Sequence, residues 1–104
     1  MRRAVVVHAD ARRDLIEARD YIDGQRDGYG FLFTEAIERE LGVLAEFPLI
    51  GKRFDGGYRR RSMPDWHYGI YYAVREADVV VVAVVHDRRD PKVIRDRLRY
   101  TSPP

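Results

Sequence analysis

Residues 79–85 read VVVVAVV, with Asp78 before the run and His86 after it. Seven apolar residues are too few to span a bilayer, and they lack the alternating polar positions of a strand with one wet face. The run therefore reads as a β-strand covered on both faces, at the centre of a sheet. Upstream, Phe54 to Met63 and Trp66 to Arg75 also follow a strand period. Pro64 with Asp65, and Glu76 with Ala77 and Asp78, mark the two turns between these segments. Connections this short force consecutive strands to run antiparallel, as a meander.

Before Gly51 the period is helical. Phe33, Ala36, Ile37, Leu41, Leu44 and Phe47 recur on one face, and Pro48 stops the helix because it has no amide to continue the ladder. Ala11, Leu15, Ala18 and Ile22 mark an earlier helix, with Asp10 expected as its N-cap. Gly24, Gly28 and Gly30 break the pattern between the two, in DGQRDGYG, and predict an antiparallel helical hairpin. Ala4 to His8 reads as a short strand, and beyond the sheet Asp90 caps a short helix that starts at Pro91 and docks through Val93, Ile94 and Leu98. The expected fold is α+β: a helical hairpin packed on a mostly antiparallel four-stranded sheet, in the order β-α-α-β-β-β, followed by a short C-terminal helix.

A length of 104 residues fits one domain, residues 1–104. The absence of cysteine excludes disulfides and thiolate metal sites, and a reducing cytoplasm is the expected location. The short apolar run after Arg2 and Arg3, Ala4 to Val7, is too short for a signal-peptide core. Up to Ile50 there are seven basic and ten acidic residues; beyond it there are twelve and seven, so positive charge gathers in the sheet half. Seventeen of the nineteen basic residues are Arg, which suits bidentate contacts to phosphate or carboxylate, although biased codon usage would produce the same excess.

The first helix, the second helix ending at FPLIG, and then GYRR, HYGIYY, VVVVAVVH and RRDP in that order resemble the RelE/ParE toxins of type II toxin-antitoxin systems over nearly the whole chain. The resemblance implies a plasmid-stabilisation-type toxin that inhibits growth until a cognate antitoxin wraps over it. Its RelE branch consists of ribosome-dependent endoribonucleases that cut messenger RNA. Its ParE branch poisons DNA gyrase. Where RelE-like enzymes carry an arginine in the strand after the turn, this chain has Gly69, and where they carry a C-terminal tyrosine it has Ile94, so it resembles the ParE branch more closely. Arg88 does match a family arginine, and Tyr100 or His86 could serve in another geometry, so the RNase reading stays open as the alternative.

For an RNase, the catalytic candidates are Arg88, Arg89 and His86. His86 also has a plain structural reading, as the hydrogen-bonding end of a strand. Strand alternation puts Arg59 and Arg61 on one face and Arg60 on the other. Arg59 and Arg61, with Arg88 and Arg89, are the candidate surface for an acidic antitoxin segment, a topoisomerase or nucleic acid, or else a solvated face. Tyr21, Tyr29 and Phe31 are expected to line an antitoxin groove beside Arg59 and Arg61. Trp66, Tyr68, Tyr71 and Tyr72 read as sheet core, and Asp14 and Glu17 as solvating groups. His8, His67 and His86 would have to converge, or recruit carboxylates, to hold zinc. Neither metal nor cofactor is expected.

Overall fold

The structure is a computed structural model that describes residues 2–100. The chain runs β1 (Ala4–Val7), α1 (Ala9–Gln25), α2 (Tyr29–Glu46), β2 (Lys52–Arg53), a 3-10 turn (Asp55–Gly57), β3 (Arg59–Met63), β4 (Tyr68–Val74), β5 (Asp78–His86) and α3 (Pro91–Tyr100). The sheet order is β1-β5-β4-β3-β2, with β1 parallel to β5 and the other pairs antiparallel. The α+β class and the meander stand, but the sheet has five strands rather than four. The added strand, β2, pairs Lys52 with Arg60 and Arg53 with Arg59. Two residues carry no periodicity, so the sequence pattern cannot announce such a strand.

Strand β5 lies inside the sheet, between β1 and β4, and both of its faces are covered. Ala83 faces Tyr71 and Val81 faces Tyr72, which leaves Val82 without a partner on β4. A bulge of this kind sets two successive residues on one face and reverses the alternation beyond it. Accordingly, Val79, Val81 and Val84 pack with Phe33, Ile37 and Leu44 of the hairpin. Val80, Val82, Ala83 and Val85 pack on the other face with Ile94 and Leu98 of α3.

Several local expectations change. The N-cap of α1 is His8 and not Asp10: the His8 Nδ1 accepts the Asp10 amide at 3.1 Å, because the helix starts at Ala9, two residues earlier than an Asp10 cap would set it. Gly24 and Gly30 do not break the helices. Gly30 lies within α2, where a Cβ would stand 2.9 Å from the Arg19 carbonyl oxygen, so its missing side chain sets how closely the helices approach. Of these three glycines Gly28 alone turns, with φ 86°, and Asp23 Oδ1 accepts the amides of Gly28 and Gly30 at 2.9 and 3.1 Å, which caps α2.

The strands expected at 54–63 and 66–75 begin later, at Arg59 and Tyr68. Gly56 and Gly57 turn through positive φ in the first case, and the turn over 64–67 holds His67 at φ 60° in the second. Phe47 follows the last turn of α2 and is 57% exposed, so it leaves the seam it was assigned to. Val93 is likewise exposed, whereas Ile94 and Leu98 dock α3 as expected. Asp90 does cap α3, its Oδ1 accepting the Lys92 amide at 2.9 Å. Among the described residues, no helix is long and apolar enough to cross a membrane.

Candidate functional site

The three arginines of β3 divide as strand geometry demands, and each side of the division is tied down. Arg59 and Arg61 point to the hairpin side. Arg59 Nη1 donates to the carbonyls of Gly51 at 2.8 Å and Leu49 at 3.3 Å, and Arg61 Nε donates to Glu40 Oε2 at 2.8 Å. Opposite Arg59 on β4, the Tyr72 hydroxyl donates to the Pro48 carbonyl at 2.7 Å and accepts the Gly51 amide at 2.9 Å. Burial raises the Tyr72 pKa above the usual phenol value, and the Gly51 hydrogen bond with Arg59 and Arg61 opposes that rise. A Cβ on Gly51 would lie 2.6 Å from the Tyr72 hydroxyl, so the turn after α2 reaches the sheet only because residue 51 is glycine.

Arg59 and Arg61 therefore do not stand free as a basic patch. Arg59 sits opposite Tyr72, whereas Arg88 and Arg89 follow the other end of the sheet, where Met63, Tyr68 and His86 are aligned. The four candidate arginines are thus spread along the strands, with four residues, or about 13 Å, separating Arg59 from the Met63 end.

Arg60, which was not singled out in the sequence, has the most specific surroundings on the α3 side. Its Nε donates to the Tyr71 hydroxyl at 3.0 Å and its Nη2 to Asp87 Oδ1 at 2.5 Å. The guanidinium lies across Gly69, where a Cβ would stand 2.6 Å from Nε. The place above Gly69 is thereby filled by a cation from the next strand. The signal that could have found it was a triple arginine in one strand of the meander and a glycine in the next.

At the end of β5, His86 Nδ1 accepts the Arg88 amide at 3.1 Å and the His86 carbonyl accepts the Arg89 amide at 2.9 Å. The His86 ring stands edge-on to Tyr68, with centroids 5.1 Å apart, and 6.4 Å from His67. Among the described residues, no group of three or more His, Asp or Glu side chains is placed to hold a metal ion. Ile94 is 4% exposed and belongs to the apolar core beneath α3. The side chain of Tyr100 lies outside the described residues.

A cleft of about 350 Å³ opens between α1 and the far half of β5, lined among others by Asp14, Glu17, Tyr21, Tyr68, His86 and Arg89. Asp14 is not the solvating group the sequence suggested. Its Oδ2 accepts the Val84 amide at 2.9 Å and its Oδ1 accepts from Arg97 Nη1 at 2.9 Å. Burial raises the Tyr68 pKa, as does the neighbouring Tyr21, while Arg89 lowers it.

Of the expected antitoxin-groove residues, two are largely exposed and one is engaged with its neighbours. Tyr21 is 61% exposed at the cleft, and Phe31 is 67% exposed on α2. Tyr29 lies edge-on to Trp66, with centroids 6.4 Å apart, and carries the Arg26 guanidinium 4.5 Å from its ring centroid. A second apolar surface, missed because Phe47 was read as core, is formed by Phe47, Leu49 and Ile50 around a hollow of about 570 Å³ that Val74 also lines.

Residues 5–91 match the family model described as "ParE toxin of type II toxin-antitoxin system, parDE". No curated protein matches the chain. Among solved structures, it is similar to a chain from "Chromosomal ParDE TA system from P. aeruginosa", with a TM-score of 0.72 and 12% identity, covering 81% of this chain and 95% of that one. At 12% identity this likeness is one of fold. The family model, by contrast, takes in β1 through the start of α3, and on that ground the chain belongs to the ParE toxin family of type II toxin-antitoxin systems.

Proposed function

We propose that the chain inhibits growth by binding DNA gyrase or a related topoisomerase, without chemistry of its own, and that a cognate antitoxin neutralises it. The observation that carries this reading is the state of two positions. Ile94 is an apolar residue buried under α3, and Gly69 is a bare backbone overlain by Arg60. RNA cleavage through a ribose hydroxyl needs a base, an acid and cations at the phosphate, each typically contributing about a hundredfold or more. Neither position supplies such a group. For the antitoxin, the exposed Tyr21, Phe31 and Leu32 and the apolar turn at Phe47 to Ile50 are surfaces that an amphipathic segment could cover.

Induction without antitoxin should block chromosome replication and produce filaments, and purified toxin should inhibit gyrase supercoiling. Primer extension on ribosome-bound message should show no new ends. Ends at the A-site codon that vanish in Arg88→Ala would instead establish the RelE-like endoribonuclease, with Arg88, Arg89, His86 and the Arg60 cation as its groups.

A further inference from the structure

The cleft beside β5 opens at the edge of the sheet: Tyr68 and Val84 reach it from the hairpin side, the face opposite Arg60 and Gly69, and Arg97 reaches it from α3. Its hydrogen-bonding groups fall into two classes. Asp14 and Arg97 are committed to each other and to the β5 backbone. Among the described residues, Glu17, Tyr21, Tyr68 and the Arg89 side chain have no hydrogen bond or ion pair within the protein. Tyr68 is only 7% exposed, yet its hydroxyl is not a sealed, unsatisfied group. The ring is therefore held in the core while the hydroxyl reaches the cleft. Since His86 Nδ1 accepts the Arg88 amide, a neutral His86 carries its proton on Nε2 and is a donor there.

Among the uncommitted groups, a guanidinium, two phenols, which can donate or accept, and an imidazole N–H stand with one carboxylate, Glu17. A guanidinium fork with hydroxyl donors suits a tetrahedral oxyanion such as a phosphate. The exposed Tyr21 ring offers a stacking platform for a planar base, and the Glu17 carboxylate can accept from an amino or ribose hydroxyl group. The cleft, at about 350 Å³, is at the small end of the range of ligand sites, roughly 300 to 1,000 Å³, and so suits one nucleotide rather than a strand. We propose that this cleft binds a nucleoside monophosphate, its phosphate at Arg89, Tyr68 and His86, its base on Tyr21 and its polar edge at Glu17. This site stands independently of the toxin's target.

The test is calorimetric titration of the full chain with AMP, GMP, CMP, UMP and inorganic phosphate. At least one nucleotide should bind saturably, at least tenfold more tightly than phosphate alone, and Arg89→Gln and Tyr68→Phe should each weaken it at least tenfold. Arg89 belongs to the turn after β5, so its replacement leaves the core intact, and equal thermal midpoints check that both variants are folded. The proposal is overturned by the absence of saturable binding for all four nucleotides, by phosphate binding as tightly as any of them, or by unchanged affinity in folded Arg89→Gln.

Discussion

Asp14 on α1 and Arg97 on α3 are 83 residues apart, and together they close the open edge of β5. Beyond Val81, β1 has ended, and the bulge at Val82 turns a carbonyl and an amide toward the vacant edge. Asp14 accepts the Val84 amide, and Arg97 Nη2 donates to the Val82 carbonyl at 3.2 Å. One ion pair thus replaces the missing strand and ties the C-terminal helix to the first. Asp14→Ala should cost about 1 to 3 kcal/mol by leaving Val84 and Arg97 short of partners. Urea unfolding measures this, and a double-mutant cycle with Arg97→Met should show coupling well above about 0.5 kcal/mol.

The core prediction centres on Leu44, which is fully buried in the structure, whereas Leu41 is only partly so. Leu44→Ala should destabilise by about 2 to 5 kcal/mol through lost burial and a cavity. Leu41→Ala should cost less. Equal urea midpoints for the two variants would contradict the way α2 is seated.

Gly51→Ala tests the lock between the turn after α2 and the sheet. The new methyl would press on the Tyr72 hydroxyl at 2.6 Å and the Arg60 carbonyl oxygen at 2.9 Å. One of these contacts is backbone, so relief requires the chain to move. A loss of about 1 to 3 kcal/mol is expected, read as a lower thermal midpoint.

Alkali should unfold the protein through its buried phenols. Tyr58, Tyr68 and Tyr72 all have pKa values raised by burial. A group with a raised folded pKa keeps its proton more firmly when folded. Its contribution is therefore complete below the unfolded value, near 10, and is lost as pH rises through the folded one. Stability measured from pH 8 to 12 should fall above about pH 10, and Tyr72→Phe should make that fall shallower, although it starts from a lower value at pH 8.

Gly69→Arg should not create an RNA-cleaving site. The Cβ alone would collide with the Arg60 guanidinium, which must leave Tyr71 and Asp87 to make room. Stability should drop with no new cleavage in primer extension. Appearance of A-site cuts in this variant would mean that the scaffold was catalytically complete apart from that one cation.

The sequence by itself determined the elements that repeat a period. The run at 79–85 is apolar on both faces because both are covered, the FPLIG proline ends α2, Asp90 caps α3, and the order of helices and strands follows. It also separated Arg59 and Arg61 from Arg60, since alternation is a local property of a strand. Only the tertiary structure decided which partners those side chains meet. The two-residue β2 and the bulge at Val82 carry no pattern, yet at the edge that β1 leaves open the β5 backbone holds Asp14 away from solvent. Arg60 lies over Gly69, and Arg59 binds the turn after α2, because strands distant in sequence are adjacent in the sheet. Periodicity records which face a residue takes, whereas hydrogen-bond partners depend on long-range register, which no local window contains.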